Sequence, residues 1–310
     1  MMSEKATIVA TAAYLPENRV PNSHFENYLE TSDAWIFERT GIKERCFAEE
    51  GVQASDLGVV AAKKALLKAS LRADEVDLLL VATMTPDQPV PSTAALLQSK
   101  LPGCRAPGMD ISAACSGFLY GLNVAKAFIE SGIYKTILLV GCEKMTQAVD
   151  RNDRSTAILF GDGAGASVIQ KGGKGLRIDE VILGLEGGLH GSLYTLPNQK
   201  MQMNGQEVFK AAIQKGVGVM EELLEKGGAT VEEIDYFVFH QANLRIIQNI
   251  QKRFSIPSNK IPTTIEVTAN TSAASIPILL EKLDFQPKDR VMSIAFGAGF
   301  TYAGALFTYV

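Results

Sequence analysis

Cys115, His240 and Asn270 are the side chains best suited to chemistry in this 310-residue chain. Cys115 stands in Asp110-Ile-Ser-Ala-Ala-Cys-Ser-Gly-Phe, ahead of the apolar-periodic run FLYGLNVAKAFI. A helix over that run puts the thiol at a helix N-terminus, where unpaired N–H groups and the dipole favour a thiolate and lower its pKa. A thiolate is a nucleophile for acyl transfer. A free cysteine is more usually a small buried hydrophobe, and this segment alone leaves both open. His240 ends the strand-like YFVFH and precedes Gln-Ala-Asn-Leu-Arg, where a helix begins. That is where α/β proteins place reactive groups. The ring could donate a hydrogen bond, hold a proton near neutrality, or be satisfied by a neighbouring carbonyl. Asn270 opens another predicted helix, as a polar donor or as an N-cap. FGAGF (Phe296–Phe300) reads equally as a tight turn with close backbone packing or as a backbone that lets amides approach an oxyanion. FGDGAGA (Phe160–Ala166) suits close packing, and neither glycine run fits a phosphate-binding loop.

Composition narrows the chemistry further. The four cysteines, Cys46, Cys104, Cys115 and Cys142, form no C-x-x-C pair, which argues against a disulfide framework and a structural zinc. The three histidines stand singly without ligand spacing, so no metal site is expected. Thirty basic against 34 acidic residues leave a net charge of −4, which is no nucleic-acid footprint. No apolar run approaches the ~20 residues that span a bilayer. The start, MMSEKATIVATAAYLPENR, lacks the pattern of a signal peptide, and a cytoplasmic protein is expected.

The elements that must position these residues alternate between strand and helix. ATIVATAAYL, VDLLLVATM, KTILLVG and AGASVIQ read as strands in the first half; LRIDEVILGL, IDYFVFH, RVMSIAFG and ALFTYV do so in the second. Helical patterns over residues 55–70 and 207–226 lie between them, giving a layered α/β chain. The halves resemble each other, with Asp77 and Asp235 in register. Cys115 and Asn270 are 155 residues apart, as are Val140 and Ala295. A period of half the chain points to duplication of a whole α/β domain. The run QKGGKG (Gln170–Gly175) is the best linker, giving halves at 1–170 and 171–310.

Six ordered segments carry a resemblance that covers the chain from end to end. They are TSDAWIFERTGIKER (Thr31–Arg45), the Cys115 segment, DRSTAILFGDGAGA (Asp153–Ala166), FHQANLRI (Phe239–Ile246), NTSAASIP (Asn270–Pro277) and FGAGFTYAGAL (Phe296–Leu306). The chain resembles the β-ketoacyl-acyl carrier protein synthase III family of the thiolase superfamily. The resemblance implies two α/β halves of five strands each in an α-β-α-β-α stack, and a homodimer. It implies a Cys115, His240, Asn270 triad that condenses an acyl-CoA with malonyl-acyl carrier protein and starts fatty-acid synthesis. No metal or redox cofactor enters that scheme. The N–H groups of Cys115 and Ala298 are then the oxyanion donors.

The same resemblance implies that Trp35, Arg39 and Arg154 contact the adenine end of CoA, with Gln206 near the pantetheine arm. Lys210, Arg245, Lys252 and Arg253 match a basic rim for the acidic carrier protein. Val90 aligns with a gate residue of the acyl pocket that is Phe in acetyl-preferring members, so a longer acyl group is expected. Gln206, Ala269 and Ala298 depart from the usual Asn, Gly and Gly. Related condensing enzymes or acyltransferases of secondary metabolism, a cysteine-dependent thioesterase and a non-catalytic acyl-binding protein are the alternatives.

Overall fold

The structure, a computed structural model, describes residues 5–310; residues 1–4 of the expected 1–170 half lie outside the described residues. Nine strands form one mixed sheet: β1 (Ala6–Tyr14), β2 (Leu78–Ala82), β3 (Gly108–Ile111), β4 (Thr136–Glu143), β5 (Gly163–Lys171), β6 (Leu176–Leu185), β7 (Tyr236–Phe239), β8 (Arg290–Gly297) and β9 (Thr301–Tyr309). Their order is β7-β8-β9-β6-β1-β5-β4-β2-β3. The helices that matter here are α1 (Asp33–Thr40), α2 (Ala54–Lys68), α3 (Thr93–Lys100), α4 (Gly117–Glu130), α5 (Gly205–Lys226), α6 (Leu244–Phe254) and α7 (Ser275–Glu281).

The two halves repeat one pattern of pairing. β2 runs parallel to β4, and β4-β5-β1 continue antiparallel. In the second half β7 runs parallel to β8, and β8-β9-β6 continue antiparallel. The halves join where β1 meets β6, at Thr7–Arg177 and Ile8–Leu176. Successive strand residues face opposite sides, and the cores follow that period. Leu78, Leu80, Ile137 and Leu139 enter a central core with Val238, Val291 and the buried faces of α4 and α7. Leu79, Val81, Leu138 and Val140 turn outward onto α2 and α3. Phe237, Phe239, Met292 and Ile294 turn the other way, onto α5 and α6. Three cores between five layers are the expected α-β-α-β-α stack.

Two details differ from the expectations. The second half contributes four strands to this sheet, because the stretch equivalent to β3 forms a short helix, Ile265–Thr268. The backbone N–H groups of Thr264 and Ile265 donate instead to the buried Gln241 Oε1, at 2.9 and 3.1 Å, and Pro262 has no N–H to give. The repeat register also moves. α4 and α7 begin 158 residues apart, as do Asp77 and Asp235 and the positive-φ residues Ala114 and Ser272. Cys115 is therefore equivalent to Ala273, and Asn270 sits three residues earlier. Small residues crowd both turns, so an alignment by composition slides there without penalty.

Candidate active site

The turn that carries Cys115 is a short 3-10 segment, Ala114–Ser116, between β3 and α4. Ala114 has φ +46°, which lifts the chain off the end of the sheet. β8 ends behind it: a Cβ on Gly297 would lie 2.7 Å from the backbone N of Cys115, so only glycine fits there. His240 follows β7, with its backbone N–H donating to Ile294 O of β8 at 2.8 Å. Asn270 follows Ala269 and bridges to Phe160 through backbone hydrogen bonds. Cys115, His240 and Asn270 come from three separate segments yet line one pocket. Phe160, Phe209, Ile246, Phe296 and Phe300 supply its apolar walls.

The electrostatics reverse one expectation. The start of α4 does not make Cys115 a resting thiolate. Burial pushes its thiol up to about 12, with the neighbouring Ser272 side chain working the other way and the charge of Glu143 adding to the rise. Desolvation outweighs the helix end because nothing cationic faces the sulfur. Burial likewise pulls the His240 ring down to about 3, so the imidazole is neutral at physiological pH. Its Nδ1 has no protein partner among the described residues. Asn270 Oδ1 accepts the backbone N–H of Ser272 at 2.8 Å. That is a cap-like bond, but it leaves the Nδ2 amide hydrogens free to donate. The capping and donor readings of Asn270 thus coexist.

The remaining expected residues fall into three places. Trp35 lies on α1 with the Arg39 guanidinium 4.8 Å from its ring centroid and Arg154 at 4.6 Å. An indole with two exposed cations over its ring is a flat, positively charged surface. Asn243, at the start of α6, donates to Arg39 O at 3.1 Å and so ties this cluster to the His240 loop. Gln206 is exposed in the first turn of α5, where its neighbours Gly205, Val208 and Phe209 line the pocket. Lys210, Arg245, Lys252 and Arg253 are all exposed, and the Arg245 guanidinium lies 5.6 Å from the Phe209 ring at the pocket's edge. Ala298 lines an adjoining depression with Ala113 and Ala114 rather than the Cys115 pocket itself. Val90 stands apart. It is 82% exposed and does not line its own chain's pocket, so a gate at this position needs a second copy.

The sequence pattern had passed over Glu143. Its signal was a carboxylate ending β4, whose eight residues are all buried. FGDGAGA serves packing, as expected: Asp162 is buried and accepts from Ala48 N and from Thr146 N and Oγ1, while Gly165 abuts Pro277. Among the described residues no three His, Cys, Asp or Glu side chains group to hold a metal ion. No described helix is long and apolar enough to cross a membrane.

Two facing α/β halves with a cysteine, a neutral histidine and an asparagine amide around one apolar pocket define the thiolase-type acyl-transfer class. Comparison with known proteins narrows it. The family model for 3-oxoacyl-[acyl-carrier-protein] synthase III matches residues 109–187, and the model for its C-terminal part matches 224–309. A β-ketoacyl-[acyl-carrier-protein] synthase III from Geobacillus kaustophilus is 43% identical over 301 residues, covering 96% of each chain. The crystal structure of 3-oxoacyl-[acyl-carrier-protein] synthase III from Aquifex aeolicus superposes with a TM-score of 0.95 at 41% identity, covering 98% of this chain and 100% of that one. The priming β-ketosynthase of the R1128 polyketide pathway superposes at 0.93 with 33% identity, covering 100% and 98%. The chain belongs to the 3-oxoacyl-[acyl-carrier-protein] synthase III family.

Proposed function

We propose that this protein is a condensing acyltransferase that joins an acyl-CoA to malonyl-acyl carrier protein with loss of carbon dioxide, giving 3-oxoacyl-acyl carrier protein and starting fatty-acid synthesis. The observation that carries the reading is one pocket holding a nucleophile and two neutral hydrogen-bond donors. The Cys115 sulfur attacks the acyl-CoA carbonyl, and CoA leaves as the thiol with the cysteine's proton. The N–H groups of Cys115 and Ala298 meet the oxyanion. Asn270 Nδ2 and the neutral His240 ring then hold the malonyl thioester oxygen as carbon dioxide departs. The resulting enolate carbon attacks the acyl-cysteine and expels the Cys115 thiolate, which takes up a proton from solvent to restore the thiol. A neutral imidazole suits this task, because it donates to developing negative charge without first losing a proton to the substrate.

The Trp35, Arg39 and Arg154 cluster receives the nucleotide end of CoA, and Gln206 lies along the pantetheine arm. Lys210, Arg245, Lys252 and Arg253 steer the acidic carrier protein toward the pocket mouth; Arg245 and Lys252, seven residues apart, share one face of α6. No metal or redox cofactor is needed by these steps. We read 1–170 and 171–310 as two copies of one α/β unit, working as a homodimer in the cytoplasm. In that dimer Val90 of one protomer closes the acyl pocket of its partner. The polyketide priming enzyme among the structural neighbours favours a second reading, condensation of a longer acyl primer in secondary metabolism.

Mass spectrometry tests the proposal. Incubation with a series of acyl-CoA thioesters should load one acyl group on Cys115, and malonyl-acyl carrier protein should then discharge it as the 3-oxoacyl product. Free acid without malonate would mark a thioesterase, and no adduct would mark a binding protein. The chain length loaded fastest separates the two condensing readings.

A further inference from the structure

Glu143 is fully buried at the end of β4, yet no step above uses it. Its Oε2 accepts from Thr83 Oγ1 (3.0 Å), Met84 N (3.1 Å), Thr85 N (3.1 Å) and Thr85 Oγ1 (2.6 Å). Its Oε1 accepts from Met84 N (3.2 Å), Ser272 Oγ (2.9 Å) and Ala273 N (3.4 Å). None of these donors is a cation. Carboxylates buried without a cation are costly and persist where their acceptor geometry is needed. One side of the set fastens the loop after β2. The other reaches across to the Asn270 turn, 129 residues away in sequence.

Ser272 is where the two meet. Its hydroxyl donates to Glu143, its backbone N–H donates to Asn270 Oδ1, and its side chain lies beside the Cys115 thiol. Ser272 also has φ +50°, a conformation that a non-glycine residue keeps only when its surroundings fix it. The carboxylate supplies that fixing. We propose that Glu143 is a positioning residue: through Ser272 it holds the Asn270 carboxamide with Nδ2 aimed into the pocket. The inference rests on the assignment of Asn270 as an enolate donor. An amide at position 143 would turn two donor hydrogens toward a shell built entirely of donors, so Glu143→Gln should release Ser272 and let Asn270 turn.

The charge gives a second, opposite signature. Glu143 and the neutral His240 are the titratable groups facing the sulfur, and only Glu143 holds the Cys115 thiol up by charge. Removing that charge should make the thiol more acidic. The test is Glu143→Gln, Glu143→Asp and Ser272→Ala, each measured for decarboxylation of malonyl thioester and for alkylation of Cys115 by iodoacetamide against pH. Glu143→Gln should slow decarboxylation at least tenfold while its alkylation profile moves to lower pH. Glu143→Asp should recover part of the decarboxylation rate. Ser272→Ala, which leaves the β2 loop's bonds to Glu143 in place, should also slow decarboxylation. Adding Glu143→Gln to Asn270→Ala should cost less than it costs alone.

A carboxylate that merely staples the loop would slow decarboxylation and alkylation together, with Ser272→Ala near wild type; that pattern overturns the proposal. If Glu143→Gln fails to fold, an unchanged decarboxylation rate in Ser272→Ala overturns it by itself. Should Asn270→Ala decarboxylate normally, the donor role of Asn270 falls first. A slow Asn270→Ala beside a normal Ser272→Ala leaves that role standing and removes only the link to Glu143.

Discussion

The turns before α4 and α7 are the same piece of backbone used twice. Each carries a non-glycine residue of positive φ, Ala114 or Ser272, followed by a 3-10 segment and a buried helix in the central layer. In the first turn the next residue is Cys115, which lines the pocket. In the second it is Ala273, whose N–H reaches Glu143 and whose methyl packs near Gly117. In the second turn the residue that lines the pocket is Asn270, three residues upstream. The comparison teaches that one geometry can be kept for its shape while reactivity is reassigned among its neighbours. On the proposed function, the first copy presents a nucleophile and the second a donor together with its support.

That division can be broken most directly by separating the half-reactions. Asn270→Ala and His240→Ala should each slow malonyl decarboxylation by on the order of 10²–10³, the usual loss for one oxyanion donor. Acyl-CoA should still load Cys115 at close to the wild-type rate. Quenched-flow loading with labelled acyl-CoA, beside carbon dioxide release from malonyl thioester, measures both. If the variants decarboxylate normally and fail only to load, the second half serves the nucleophile and the contrast between the turns is misplaced.

Much of this division is legible in the chain itself. The strands of both halves follow their runs of aliphatic residues, and Cys115, His240 and Asn270 stand where a strand or turn gives way to a helix. β3 was passed over because Gly108-Met-Asp-Ile is short and carries no alternation. The thiol's acidity is not legible in the chain, because a helix end is visible in sequence whereas the walls that desolvate the sulfur come from residues 159–300. Val90 shows the same limit from the other side: its motif position is readable, but the partner surface that would meet it is not. Glu143 is not legible either, because nothing in KTILLVGCE says that its donors lie near residues 84 and 272.

The two halves also oppose each other in pH, which sharpens the comparison at about 2 kcal/mol. The folded His240 resists protonation down to about pH 3, while an unfolded histidine takes a proton below about 6.5. Its contribution is therefore complete above pH 6.5 and is lost as pH falls toward 3, by ~2 kcal/mol at pH 5. The Cys115 thiol, held up to about 12 against 9.0, works in the other direction. Its contribution is complete below pH 9 and is lost as pH rises toward 12, by ~1.4 kcal/mol at pH 10. Urea unfolding at pH 5, 7.5 and 10 should show a smaller acid loss in His240→Gln and a smaller alkaline loss in Cys115→Ala. Equal acid losses in wild type and His240→Gln would mean that the buried ring titrates normally. Cys46 and Cys142 are also raised by burial, so the alkaline test reads the difference between variants rather than the total.

The smallest expected effect lies in the residue that sets Asn270 in place. Ala269 has φ +52° and ψ −156°, beside a region that glycine alone fills readily. Backbone held there costs about 1–3 kcal/mol. Its methyl offsets part of that cost, since Ala269 is fully buried against Ile42 and Ile265. Losing one buried methyl costs about 0.8 kcal/mol, and the added freedom of an unfolded glycine about 0.4–1 kcal/mol more. Near the middle of these ranges the relief of strain wins narrowly. Ala269→Gly should raise unfolding stability by ~0.5 kcal/mol, against the loss normally seen when a buried alanine becomes glycine. Ala61, equally buried in the middle of α2, supplies the control, where the same change should cost about 1 kcal/mol or more. A loss at Ala269 matching that at Ala61 would show that the backbone before Asn270 carries no strain, and that the asparagine is held by its bonds to Ser272 and to the Phe160 segment.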